Sequence, residues 1–179
     1  MKLFYALLIT GMAITGLECR SQDEIRLIVR GDDIGSTHAA NLGCIRSYRE
    51  GIMRSVEIMV PCPWFPEAAS MLNENPGLDV GIHLTLTSEW GERYGWSPVL
   101  PRSEVPSLYS SEGLMWPTEQ ALLDHMDVGE ALREFEAQVL KVVEAGVAPT
   151  HIDEHMGCYW MHPELTEGVM ALSKKYNLP

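Results

Sequence analysis

At the start of the chain, the pattern of apolar and polar positions changes from strand spacing to helix spacing. Apolar residues alternate over 25–29 and predict a strand that ends at Gly31-Asp32-Asp33. Over 39–48 they recur at every third position, which predicts a helix that Ser36 caps. Together the two stretches predict one β-α unit.

The alternation of strand and helix continues to the end of the chain. Further strands are predicted at 56–60, 80–86 and 149–152, and further helices at 66–72, 128–142 and 163–176. Asp127 and Glu130 resemble a capping box before the helix at 128. The repeated β-α units predict an α/β fold with a parallel sheet, helices outside it and a functional face at the carboxyl ends of the strands.

Residues 87–117 interrupt this pattern, because they have neither helical nor strand period. The segment is rich in Gly, Pro and Ser and contains Trp90, Tyr94, Trp96, Tyr109 and Trp116. A loop of this length is usually functional or disordered, and disordered segments are poor in aromatic residues. We therefore expect an ordered, functional loop.

The N-terminus has the pattern of an export signal. Lys2 precedes an apolar run over 3–17, shorter than the roughly 20 residues that span a membrane. We expect residues 1–21 to be a signal peptide. After its cleavage, the mature protein is expected to be periplasmic or secreted and to have no stable membrane span. A lipid anchor at Cys19 is the alternative, although Glu18 stands where a small residue should precede a lipidated cysteine.

Composition and charge exclude several classes of protein. The 179 residues suffice for about one domain. With 13 Lys and Arg against 25 Asp and Glu, the net charge of −12 repels nucleic-acid phosphates, so no nucleic-acid partner is expected. The four cysteines form no C-x-x-C pair, which argues against a thiolate zinc site.

Polar residues that suit a metal ion lie at the carboxyl ends of three predicted strands. They are Asp32-Asp33, His83 and the segment 151–155, whose sequence is HIDEH. Two imidazoles and a carboxylate match the ligand preferences of Zn²⁺ and similar ions.

The spacing helps to assign roles to these residues. If 151–155 is extended, its two imidazoles lie about 13 Å apart and cannot share one ion. His155, nearer the mouth, is the better ligand, and His151 the better supporting or substrate-facing group. Of the adjacent carboxylates, one is expected to coordinate and the other to act as a base.

These motifs together resemble those of the YdjC-like carbohydrate deacetylases, the family that includes chitooligosaccharide deacetylase. The matching segments are GDDIG at 31–35, EGIMRSVEIMV at 50–60, GIHLTLT at 81–87 and PTHIDEH at 149–155. The resemblance covers residues 24–179 in order. It implies a distorted (β/α) barrel, and since the family's domain continues further, residues 24–179 are expected to form its N-terminal portion.

The resemblance also implies a ligand set and a base. One divalent ion, Mg²⁺ or Zn²⁺, would be held by Asp33, His83 and His155, with Asp32 as the catalytic base. The family commonly has further histidines directly after the position of His155, whereas this chain continues with MGCYWMH. Contacts to the substrate are therefore expected to differ here.

The expected activity is metal-dependent removal of acetyl groups from N-acetylated sugars. His151 is the candidate general acid, and the aromatic rings of Trp90, Tyr94 and Trp96 suit the apolar faces of sugar rings.

Two alternatives remain open, and so does the oligomeric state. One alternative is a non-catalytic sugar-binding protein or inactive fragment. The other is a metal-dependent phosphoesterase, although the loop offers only Arg93 and Arg102 to a phosphate. An unpaired edge on a four-stranded sheet makes a homo-oligomer conceivable.

Overall fold

The computed structural model describes residues 26–91, 93–160 and 162–179. The predicted signal peptide, with Cys19, lies outside the described residues, so export stays a prediction. Within the described ranges, every helix is too short or too polar to cross a membrane.

Four parallel strands alternate with helices, as the periodicity predicts. The strands are β1 (Arg30–Ile34), β2 (Ser55–Ile58), β3 (Asp79–Leu84) and β4 (His151–Glu154). The helices are α1 (His38–Glu50), α2 (Phe65–Asn73), α3 (Glu119–His125), α4 (Val128–Glu144) and α5 (Pro163–Tyr176). The sheet has the order β1-β2-β3-β4, with every neighbouring pair parallel. The predicted α/β architecture is confirmed, and it corresponds to part of a (β/α) barrel.

The first strand begins later than the alternation over 25–29 predicts. The pairing of β1 with β2 starts where Arg30 lies opposite Ser55, so Leu27 and Ile28 have no paired strand beside them. Leu27 and Ile28 are accordingly exposed. The strand also extends to Ile34, so Asp32 and Asp33 lie within β1 instead of following it.

The cap of α1 also differs from the prediction by one residue. The hydroxyl of Thr37, and not that of Ser36, accepts the hydrogen bond from the amide of Ala40. The hydroxyl of Ser36 instead donates to the backbone carbonyl of Asp33 at 2.6 Å. Ser36 therefore stabilises the turn that follows β1.

The hydrophobic core lies between the sheet and the helices. Apolar residues of β2 and β3 alternate with polar ones, and these apolar side chains pack with those of α4 and α5. The members from the strands are Val56, Ile58, Val80, Ile82 and Leu84, and those from the two helices are Ala131, Phe135, Val139, Val142, Leu165, Val169 and Leu172. Polar side chains occupy the opposite face of the sheet.

The described residues of 87–117 form a loop, and buried polar side chains of α4 anchor this loop and Thr85 just before it. Glu134 accepts hydrogen bonds from the amides of Val99 and Leu100, while Gln138 bonds both the amide and the carbonyl of Thr85. A short 3₁₀ helix over Pro106–Leu108 and the seven-residue α3 were not predicted. Both are too short to show a helical period.

We expect Phe135→Ala to lower the free energy of unfolding by about 3–5 kcal/mol, because it opens a cavity at a fully buried position of α4. Leu140→Ala is the matched control on an exposed position of the same helix, with an expected change within about 0.5 kcal/mol. Urea denaturation measures both. Equal losses would contradict this account of the core.

Candidate metal centre

Asp33, His83 and His155 converge at one end of the sheet, although they come from three separate parts of the chain. Their possible ligand atoms all lie within 4.8 Å of one another. His83 Nε2 and His155 Nδ1 each lie 3.4 Å from the same oxygen, Asp33 Oδ1. That oxygen is buried and has no hydrogen-bond partner. Since buried oxygens without a partner are rare, and a cation between these three groups would satisfy this one, the residues fit a divalent ion.

An irregularity in β1 directs Asp33 toward the two imidazoles. The register with β2 shifts between Gly31 and Ile34, as in a β-bulge, and Asp33 has a φ of 63°. Bulges redirect side chains, and a positive φ is uncommon outside glycine. The backbone thus separates two adjacent carboxylates, with Asp33 beside the histidines and Asp32 beside Arg30.

The three groups also shift each other's pKa. The neighbouring imidazoles of His155, and then of His83, lower the pKa of Asp33 well below its ordinary value. Burial lowers the pKa of His155, but its contact with Asp33 and its hydrogen bond with Glu89 outweigh burial and raise that pKa to about 9. At neutral pH, a metal ion therefore has to displace a proton from His155 in order to bind there.

Asp32 lies beside the cluster and outside it. Its carboxylate is largely exposed and lies 3.4 Å from Nε of Arg30. Arg30 also contacts Glu57 at 3.5 Å and Asp153 at 2.7 Å. This one guanidinium group therefore links carboxylates from β1, β2 and β4 on the polar face of the sheet.

His151 does not join the cluster, and this agrees with the separation expected for an extended strand. Glu57, Gly81 and His151 lie opposite one another across three neighbouring strands. A side chain on Gly81 would overlap both neighbours, so glycine lets His151 Nε2 reach Glu57 Oε1 at 2.8 Å. His151 Nδ1 lies 2.8 Å from the Thr150 hydroxyl. Both nitrogens of His151 thus contact neighbouring side chains, and its role as a general acid stays a prediction.

The three aromatic residues predicted to bind substrate fall into two groups. Trp90 and Tyr94 are 43% and 55% exposed. Trp96 differs from the prediction, because its ring is 3% exposed and packs with Met59 and other buried side chains. Its centroid lies 6.2 Å from that of His155, in an edge-to-face arrangement. Trp96 therefore supports His155 and does not present its ring to a ligand.

The structure adds site residues to which the sequence analysis assigns no role. They are Arg30, Glu57, Glu89 and Asp153, all in contact with a predicted site residue. Asp153 carries a signal in the sequence, since the two-residue period of β4 places it on the same face as His151 and His155. Glu89 carries none, because it lies in the loop without period.

Two imidazoles and a carboxylate at the carboxyl ends of parallel strands define an α/β protein whose strand-end site suits a divalent ion. A family model described as "YdjC-like protein" matches residues 26–179. The chain therefore belongs to the YdjC-like family, and the resemblance found in its motifs is confirmed.

Curated relatives and a solved structure agree with this assignment. Proteins named carbohydrate deacetylase from Enterococcus faecalis and Brevibacillus brevis are 33% and 36% identical over 86% and 87% of the chain. The chain spans 57% and 58% of their lengths. A crystal structure from E. faecalis V583, described as a candidate cellobiose-phosphate cleavage protein, superposes with a TM-score of 0.77 at 32% identity. That match covers 85% of this chain and 56% of the other.

We expect His151→Ala to lower the free energy of unfolding by about 1–3 kcal/mol, because it leaves the buried carboxylate of Glu57 without its hydrogen bond. His38→Ala is the control, since His38 also pairs with a glutamate, Glu67, but at an exposed position. Its expected cost is below about 1 kcal/mol. Thermal and urea unfolding measure the stability of both variants. An equal loss in the two would contradict the structural role of His151.

Proposed function

We propose that this protein is a metal-dependent deacetylase that removes acetyl groups from N-acetylated sugars. The observation that carries the proposal is the convergence of Asp33, His83 and His155 around one buried, unpartnered carboxylate oxygen. Membership of the YdjC-like family and the names of the curated relatives support the reaction and the class of substrate.

Asp33, His83 and His155 would hold one divalent ion. Bound there, the ion would polarise the acetyl carbonyl and lower the pKa of water. Because imidazole suits Zn²⁺ and Mg²⁺ prefers oxygen ligands, the two histidines favour Zn²⁺ of the two candidates. Trp96 and the surrounding side chains keep His155 in place by packing.

Asp32 is the proposed general base. It is adjacent to Asp33 in β1, and its carboxylate is open to solvent, where it can accept a proton from water. The guanidinium of Arg30 lies on its other side and restrains its orientation. The two adjacent carboxylates thus divide the roles of ligand and base.

Trp90 and Tyr94 are the proposed contacts to the sugar. Both lie in the loop that follows β3, the strand that carries His83, and both expose a large part of their rings. Aromatic rings with an exposed face pack well against the apolar faces of sugars. The buried ring of Trp96 is not included in this set.

We expect His83→Ala and His155→Ala each to abolish binding of Zn²⁺, because each removes one of three ligands. His38→Ala, at an exposed position, should bind with unchanged affinity. Isothermal titration calorimetry measures all three variants. Unchanged affinity in both ligand variants would remove the metal centre from the proposal.

We expect Asp32→Asn to bind Zn²⁺ normally yet release acetate from N-acetylglucosamine oligomers about 10²–10⁴-fold more slowly, because an amide cannot accept the proton. Asp124→Asn is the matched control on an exposed position of α3. An enzymatic acetate assay follows the reaction. Hydrolysis of p-nitrophenyl phosphate by the unaltered chain is the test of the phosphoesterase alternative. Full acetate release by Asp32→Asn would show that another group is the base.

A further inference from the structure

Each imidazole of the cluster faces a second carboxylate with the nitrogen that does not face Asp33. His155 has Nδ1 toward Asp33, and its Nε2 lies 2.8 Å from Oε1 of Glu89. His83 is turned the other way, with Nε2 toward Asp33 and Nδ1 3.7 Å from Oδ2 of Asp153. The two rings therefore present opposite nitrogens to the same oxygen.

The outer carboxylates, which are those of Glu89 and Asp153, are partly buried. Glu89 and Asp153 expose 23% and 22% of their side chains. Asp153 Oδ2 lies 2.7 Å from the guanidinium of Arg30. His83 Nδ1 is buried and has no hydrogen-bond partner, while Asp153 Oδ2 is buried and has its ion pair with Arg30. Because 3.7 Å is only slightly longer than a hydrogen bond, a shift of less than about 1 Å would join them.

The protonation of a ligating histidine depends on such contacts. A neutral imidazole has one N–H and one lone pair, and an ionised carboxylate can only accept a hydrogen bond. With a metal ion bound beside Asp33, the nitrogen that faces the outer carboxylate would carry the hydrogen, and the other nitrogen would give its lone pair to the ion.

We propose that Glu89 and Asp153 are positioning residues that hold the two histidines in opposite tautomers. Glu89 keeps the hydrogen of His155 on Nε2 and leaves Nδ1 as the ligand. Asp153, itself held by Arg30, keeps the hydrogen of His83 on Nδ1 and leaves Nε2 as the ligand. This inference rests on the metal centre proposed above and adds the residues that prepare it.

Titration of the whole chain with Zn²⁺ tests the proposal without an activity assay. Glu89→Ala and Asp153→Ala should each weaken binding by about 10–100-fold, the usual effect of losing a carboxylate behind a ligating histidine. Glu89→Gln and Asp153→Asn keep an oxygen acceptor and should lose less. Glu104→Ala and Asp124→Ala are the matched controls at exposed positions and should bind as the unaltered chain does.

Nuclear magnetic resonance of the unaltered, ¹⁵N-labelled chain with Zn²⁺ tests the tautomers directly, and it does not depend on whether the variants fold. Long-range ¹H–¹⁵N correlations should show the hydrogen on Nδ1 of His83 and on Nε2 of His155. The same tautomer in both rings, or undiminished affinity in both alanine variants, would overturn this inference and leave the metal centre standing. Failure of the unaltered chain to bind Zn²⁺ would overturn both.

Discussion

One buried oxygen, Asp33 Oδ1, constrains the arrangement of the whole site. It lies 3.4 Å from an imidazole nitrogen of His83 and at the same distance from one of His155. This convergence requires β1, β3 and β4 to be parallel and in register, and it requires the positive φ of Asp33 that directs its carboxylate out of the regular strand path. Such backbone irregularities are maintained only where the surrounding structure determines them, as the sheet does here.

The polar face of the sheet is stabilised by charge pairing around this oxygen. Carboxylates on one side of a sheet repel each other unless cations lie between them. Arg30 lies between Asp32, Glu57 and Asp153, and His151 bonds the buried Glu57 over Gly81. Each of these three carboxylates therefore has a positively charged or hydrogen-bonding neighbour.

Helix α4 connects the hydrophobic core to the site. Its apolar side includes Phe135 in the core, while Glu134 and Gln138 bind the loop that follows β3. That loop carries Glu89 to His155 and packs Trp96 against the same imidazole. The packing that gives the domain its stability also sets the position of the groups around the proposed metal ion.

The sequence by itself determined the β-α alternation, the family and the separation of His151 from His155, because the period of a strand or helix depends on residues that are close in the chain. It also identified Asp33, His83 and His155 as candidates through their motifs. Only the tertiary structure decided that β1 begins at Arg30, that Trp96 is buried, and that Glu89 bonds an imidazole 66 positions away. These features depend on the partners that each segment meets after folding. They leave no periodic pattern in the neighbouring residues from which they could be predicted.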